Sequence, residues 1–113
     1  MSGHATYDVT GVIDKLGGDR EFLSECIDLF ASELPAMMQT LRDSIHAAAP
    51  DRIHAAAHAL KGMTSNFCED GPARTAGRID HLAREGQIED APRLFAQLED
   101  EVAMLLADLR AIT

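Results

Sequence analysis

The stretch Ala57-His58-Ala59-Leu60-Lys61-Gly62 decides how this chain folds and which of its surfaces matters. The apolar positions around it are Ile53, Ala56, Ala57, Leu60, Thr64 (through its methyl) and Phe67. At about 100° per residue they fall within roughly 50° of one direction, as in an amphipathic helix with a single buried stripe. On the same wheel His58 lies about 160° from that stripe, on the water side. Gly62, one turn on, points the same way. A histidine serving the core would lie within the stripe. This one faces solvent beside a residue with no side chain, as a group does when something large must reach it.

Outward from this helix the same periodicity recurs. Pro50-Asp51 breaks the chain before it, and Glu69-Asp70-Gly71-Pro72 makes a turn after it, so the helix runs from about Asp51 to Phe67 or Cys68. A fourth helix is predicted over Ala73–Glu85, with Ala76, Ile79, Leu82 and Ala83 inward and Gly86 as its stop. The last helix runs from about Asp90 to Ile112, with Pro92 in its first turn. Its apolar set Ala91, Leu94, Phe95, Leu98, Val102, Leu105, Leu109 and Ile112 alternates steps of three and four, which is a bundle seam.

Towards the N-terminus, Asp19 is a good N-cap for a long second helix with the stripe Phe22, Cys26, Leu29, Phe30, Met37, Leu41, Ile45 and Ala48. Pro35 should bend this helix near residues 31–35 without ending it, because the stripe continues in phase. Val9, Val12, Ile13 and Leu16 fit a short first helix stopped by Gly17-Gly18, and residues 1–6 are expected to fray. The predicted fold class is all-α. It is an antiparallel four-helix bundle with a short additional N-terminal helix, one domain with its bundle over about residues 8–112.

Composition bounds the function. A chain of 113 residues can bury one core without metal or disulfide support. A formal net charge of -9 argues against nucleic acid, whose phosphates need Lys and Arg. Cys26 and Cys68 show no CxxC spacing and read as two buried free thiols. With no signal peptide or apolar spanning run, a monomer in the reducing cytoplasm, without membrane contact, is expected.

The motif Ala57-His58-Ala59-Leu60-Lys61-Gly62, followed by Ile79-Asp80-His81-Leu82-Ala83-Arg84-Glu85-Gly86, resembles the histidine-containing phosphotransfer (HPt) domains of bacterial multistep phosphorelays. The resemblance extends from about Val12 to Leu109. It implies that His58 carries a phosphoryl group, on its outer nitrogen Nε2, between aspartates of receiver domains. The implied partners are the receiver domains of response regulators and of a hybrid histidine kinase. No cofactor or metal is expected in this chain, Mg²⁺ being expected on the partner receiver. One departure stands out: many members have glycine where this chain has Cys68, at the end of the motif helix.

The residue chemistry agrees. Imidazole is neutral, nucleophilic and a good leaving group near neutral pH. Lys61, three residues on, can neutralise phosphoryl charge, which is the role of the motif lysine in the family. Gly62 costs roughly 1 kcal/mol against alanine within a helix, a cost that points to steric clearance for a partner. Ser65 lies about 20° from His58 on the wheel, where it either bonds a phosphoryl oxygen or is simply solvated.

The turn at 69–72 sets the fourth helix antiparallel to the third and brings positions near 80–84 level with His58. Asp80 is then placed to orient the His58 ring or to pair with Lys61. Arg84 is placed to contact phosphate or partner, or to form a surface ion pair. The docking surface is expected around His58, on Ala55, Ala59 and Gly62 with part of the second helix, extended by Met37 or Met38, of which one is expected to pack in the core.

Two other readings compete. His54 and His58, at i and i+4, have chelating spacing that His46 and His81 would extend to a metal-binding bundle. Against this, no HExxH motif is present and Lys61 beside the site disfavours a cation. A purely non-phosphorylated helical interaction module is the other alternative, and the presence of His58 speaks against it. The chain carries no glycine-rich phosphate loop or ATP-site motif, so it is expected to be a carrier and not an enzyme acting alone.

Overall fold

The computed structural model describes residues 7–9, 11–15 and 17–113. Residues 1–6 and Leu16, for which fraying and a place in the first helix are expected, lie outside the described residues. Among those described there are five helices and no strand: α1 (Gly11–Lys15), α2 (Arg20–His46), α3 (Pro50–Ser65), α4 (Pro72–Arg84) and α5 (Ala91–Ala111).

Local chemistry sets the ends. The Asp19 carboxylate accepts the Phe22 N–H at 2.9 Å and caps α2. Pro35 lies inside α2 and does not end it. Prolines open α3, α4 and α5 within the first two positions, where no backbone donor is lost. Gly86 closes α4 with φ +72°, a left-handed conformation that side chains disfavour.

The connections, residues 47–49, 66–71 and 85–90, are short, so successive long helices run antiparallel. Contacts close a ring of α2, α3, α4 and α5, with α1 laid on α2. The tightest pairing is α3 with α4. The core holds Leu23, Ile27, Phe30, Leu41, Ile53, Leu60, Ile79, Leu94, Leu98, Leu105 and Leu109, each almost wholly buried. Each such side chain contributes about 2 kcal/mol of transfer free energy. Phe30 packs on Phe67 with ring centroids 5.0 Å apart, which ties α2 to the end of α3.

Tyr7 fastens the chain ahead of α1. Its N–H donates to Asp108 Oδ2 at 2.8 Å, and its ring fills the space over Gly71 that a β-carbon would occupy.

The stripes of α3 and α5 stand as expected, with Ile112 only partly buried. In α4, Leu82 is half-buried while Asp80 is buried. The stripe of α2 is corrected. Its buried residues are Leu23, Ile27, Phe30, Leu34, Leu41 and Ser44, whereas Phe22 and Leu29 are 47% and 60% exposed.

The physical reason is that α2 packs against both α3 and α5, and the arc facing both is centred one residue away from the expected one. Ser44 enters the core because its hydroxyl donates to the Thr40 carbonyl at 2.8 Å. Ile45, Met37 and Met38 are partly buried, and Ala48 lies beyond the helix, exposed, with φ +50°. Cys68 is buried and free, as expected of a small apolar residue, but Cys26 is only half-buried. The Cys68 N–H donates to the Thr64 carbonyl at 3.0 Å, so the backbone at the end of α3 is bonded with cysteine in this place.

Candidate functional site

The site lies along the outer face of α3 and the adjoining edge of α4. The buried stripe Ile53, Ala56, Ala57, Leu60 and Thr64 fixes the rotation of α3. That rotation turns His58 outward, leaving its side chain 64% exposed. Ala55, Ala59 and Gly62 are exposed beside it. A β-carbon placed on Gly62 meets nothing of the chain within 4 Å. Internal packing therefore gives no reason for glycine at this position.

The close pairing of α3 and α4 brings Asp80 under the histidine. Its side chain is 8% exposed and gathers three donors. His54 Nδ1 and Arg84 Nε, the latter at 3.0 Å, both bind Oδ1, while His58 Nδ1 faces Oδ2 at 3.3 Å.

Burial alone would raise the carboxyl pKa. The hydrogen bonds from His54, Arg84 and His58, with the charge of Arg84, outweigh it and hold the carboxyl at about 2. Asp80 is thus ionised at neutral pH, and an ionised carboxylate only accepts hydrogen bonds. Each imidazole accordingly donates to it through Nδ1, which in a neutral ring leaves the lone pair on Nε2. The partners of Asp80 are the two histidines and Arg84.

Lys61 lies on the α4 side of His58. Its stem runs over Gly77, where a β-carbon would stand 3.3 Å from Lys61 Cδ. The Ser65 hydroxyl donates to the Gly62 carbonyl at 3.1 Å and lines a shallow groove with Lys61 and Gly77. Arg84 is half-exposed and engages Asp80 through Nε.

Two contributors escape the sequence reading. In the sequence His54 reads as a chelating-spaced neighbour of His58 or, more simply, as a partly exposed helix residue or a minor contact at the docking surface; it is bound to Asp80, and the two rings stand 6.2 Å apart. Gly77 gives one signal, a glycine inside a helix at a cost of about 1 kcal/mol. His46 is elsewhere, in a groove with Arg42 and Phe95, and among the described residues no group of three or more His, Cys, Asp or Glu is arranged to hold a metal.

On the other side of α3, Phe22, Cys26 and Leu29 of α2 join Val12, Met63 and Phe67 around an apolar groove of about 410 Å³. Among the described residues no helix is long and apolar enough to cross a membrane.

A family model, that of the Hpt domain, matches residues 25–108. Among solved structures, the chain is similar to the crystal structure of histidine-containing phosphotransfer protein B from Pseudomonas aeruginosa PAO1. The TM-score is 0.84 and the identity 23%, over 95% of this chain and 94% of that one, so the likeness is one of fold. No curated protein matches it in sequence.

Proposed function

The chain belongs to the Hpt domain family, and on that premise we propose that His58 takes a phosphoryl group from one receiver aspartate and passes it to another. The observation that carries this reading is the His58 ring itself. It is 64% exposed, it faces an ionised Asp80 through Nδ1, and the space over Gly62 beside it is open.

The Nε2 lone pair forms the bond to phosphorus as the bond between phosphorus and the donor aspartate oxygen breaks. The electron pair leaves with the aspartate carboxylate. Nδ1 keeps its proton, so the phosphorylated ring is positively charged, and Asp80 stands beside it as counter-charge. The second transfer retraces these events towards the acceptor aspartate.

Lys61, its stem seated on Gly77, supplies a cation to the phosphoryl oxygens. Ser65 and Arg84 act indirectly in this reading, Ser65 holding the Gly62 carbonyl and Arg84 holding Asp80. Magnesium is expected on the receiver and not on this chain, where it would add charge neutralisation on the phosphoryl group. In this reading the chain is a monomeric carrier without its own ATP site, acting in the cytoplasm.

The receiver docks over Ala55, Ala59 and Gly62 and on into the apolar groove beside Met63. Phe22 and Leu29 extend that platform onto α2, a large apolar exposure that a partner surface would cover.

The test is transfer from a phosphorylated receiver domain to the wild-type protein and to His58→Gln. Acid-labile, alkali-stable label on the wild type and none on the variant is the expected result. Absence of label from several receivers, with the protein folded and helical, would overturn the carrier reading.

A further inference from the structure

We infer that His54 is a positioning residue for His58: together with Arg84 it occupies Oδ1 of Asp80 and so reserves Oδ2 for the Nδ1–H of His58. The inference rests on the carrier reading for what His58 does, and it adds the device that aims the ring.

A carboxylate has two equivalent oxygens and turns readily about its last torsion. A single donor on Asp80 would leave His58 free to meet either oxygen, or neither. Here Oδ1 is held from two helices, by His54 of α3 and by Arg84 of α4. The Asp80 side chain is 8% exposed, so water has little access to replace either donor. Oδ2 is left facing His58 at 3.3 Å.

The spacing makes this arrangement natural. His54 and His58 lie one turn apart on α3, so both rings reach the same carboxylate from successive turns, with centroids 6.2 Å apart. They differ in exposure, His54 at 34% and His58 at 64%. The inner ring is spent on Asp80 and the outer ring is presented to the partner. Holding Oδ2 in place selects the Nδ1–H tautomer of His58 and leaves its Nε2 lone pair outward.

The test compares His54→Leu, which has no donor, with His54→Asn, whose amide N–H stands close to where imidazole Nδ1 does. Two quantities are read on each folded protein: the tautomer of His58, by ring-nitrogen NMR, and the rate of phosphoryl transfer from a phosphorylated receiver. The Leu variant is expected to lose the Nδ1–H preference of His58 and to transfer about tenfold more slowly. The Asn variant is expected to keep both.

An unchanged His58 tautomer in the Leu variant overturns the proposal whatever the rate does, because a docking or packing role would leave the tautomer alone. Equal loss of the tautomer preference in the Asn and Leu variants overturns it as well. If even the wild type takes no phosphoryl group, the carrier reading fails, and the NMR comparison still decides for or against His54 as the residue that aims the ring.

Discussion

On the flank of α3 that faces α4, side chains hold one another. His54 and His58 share Asp80, and Lys61 lies along Gly77. On the flank that faces α2, the surface is Ala55, Ala59 and Gly62, leading to an apolar groove whose Phe22 and Leu29 are exposed. The first flank is polar and internally satisfied. The second is smooth and unsatisfied. On the proposed function, the contrast teaches that one helix can separate aiming a reactive group from admitting a partner, because its two flanks meet different neighbours.

The separation can be broken most severely at Gly62, where the flanks meet. Gly62→Gln puts a long side chain beside His58, and transfer from a receiver should fall about 100-fold. The fold should not suffer, since the free protein leaves the position open. Gly62→Ala should raise stability by about 1 kcal/mol while slowing transfer, a divergence that denaturant melts and transfer kinetics on one sample would reveal.

Next in size is the polar flank's own contribution to stability. The Asp80 carboxyl is lowered from its ordinary 3.8 to about 2. A carboxyl depressed on folding stabilises the fold fully above its unfolded value and loses that contribution as pH falls through the folded one. The window is therefore about pH 4 down to about 2, and the contribution at neutral pH is about 2 kcal/mol. Denaturant melts from pH 6 to pH 2 should show this acid loss in the wild type and a flatter curve in Asp80→Asn.

The smooth flank should respond differently. Leu29→Lys removes an exposed apolar side chain, so stability should change by no more than about 0.5 kcal/mol. KM for a phosphorylated receiver should rise about fivefold with kcat kept. A fall in kcat instead would mean that the two flanks are not separate.

The smallest effect is expected at Gly77. An alanine there pushes the Lys61 stem, 3.3 Å from the new β-carbon, by a few tenths of an ångström. Transfer should slow about twofold while stability gains part of the ~1 kcal/mol helix-propensity difference.

How far the sequence carries the reading follows from the same contrast. The rotation of α3 is legible because its large apolar side chains Ile53, Leu60 and, past its end, Phe67 share one arc, and His58 and Gly62 lie opposite it. The level of Asp80 with His58 follows from the turn at 69–72 and the antiparallel pairing of α3 and α4.

In α2, two apolar arcs overlap. Phe22, Cys26 and Leu29 belong to one, Leu23, Ile27 and Leu34 to the other, and both keep helical spacing. Only the neighbours α3 and α5 choose between them, so the exposed groove is invisible before assembly. The tie between His54 and Asp80 is hidden for a related reason. Spacing places His54 near His58, but which histidine takes which carboxylate oxygen depends on how deeply α4 sets Asp80 between them.

The small side chains of the smooth flank have a consequence for how contacts there form and end. Ala55, Ala59 and Gly62 have no side-chain torsions to freeze. A surface laid against them is spared, on this side, the roughly 0.5–1.5 kcal/mol of rotamer entropy that each long immobilised side chain would cost. Association there does not wait for side chains to settle, and separation regains no disorder from them. Such a face suits encounters whose lifetime is set by the visiting surface.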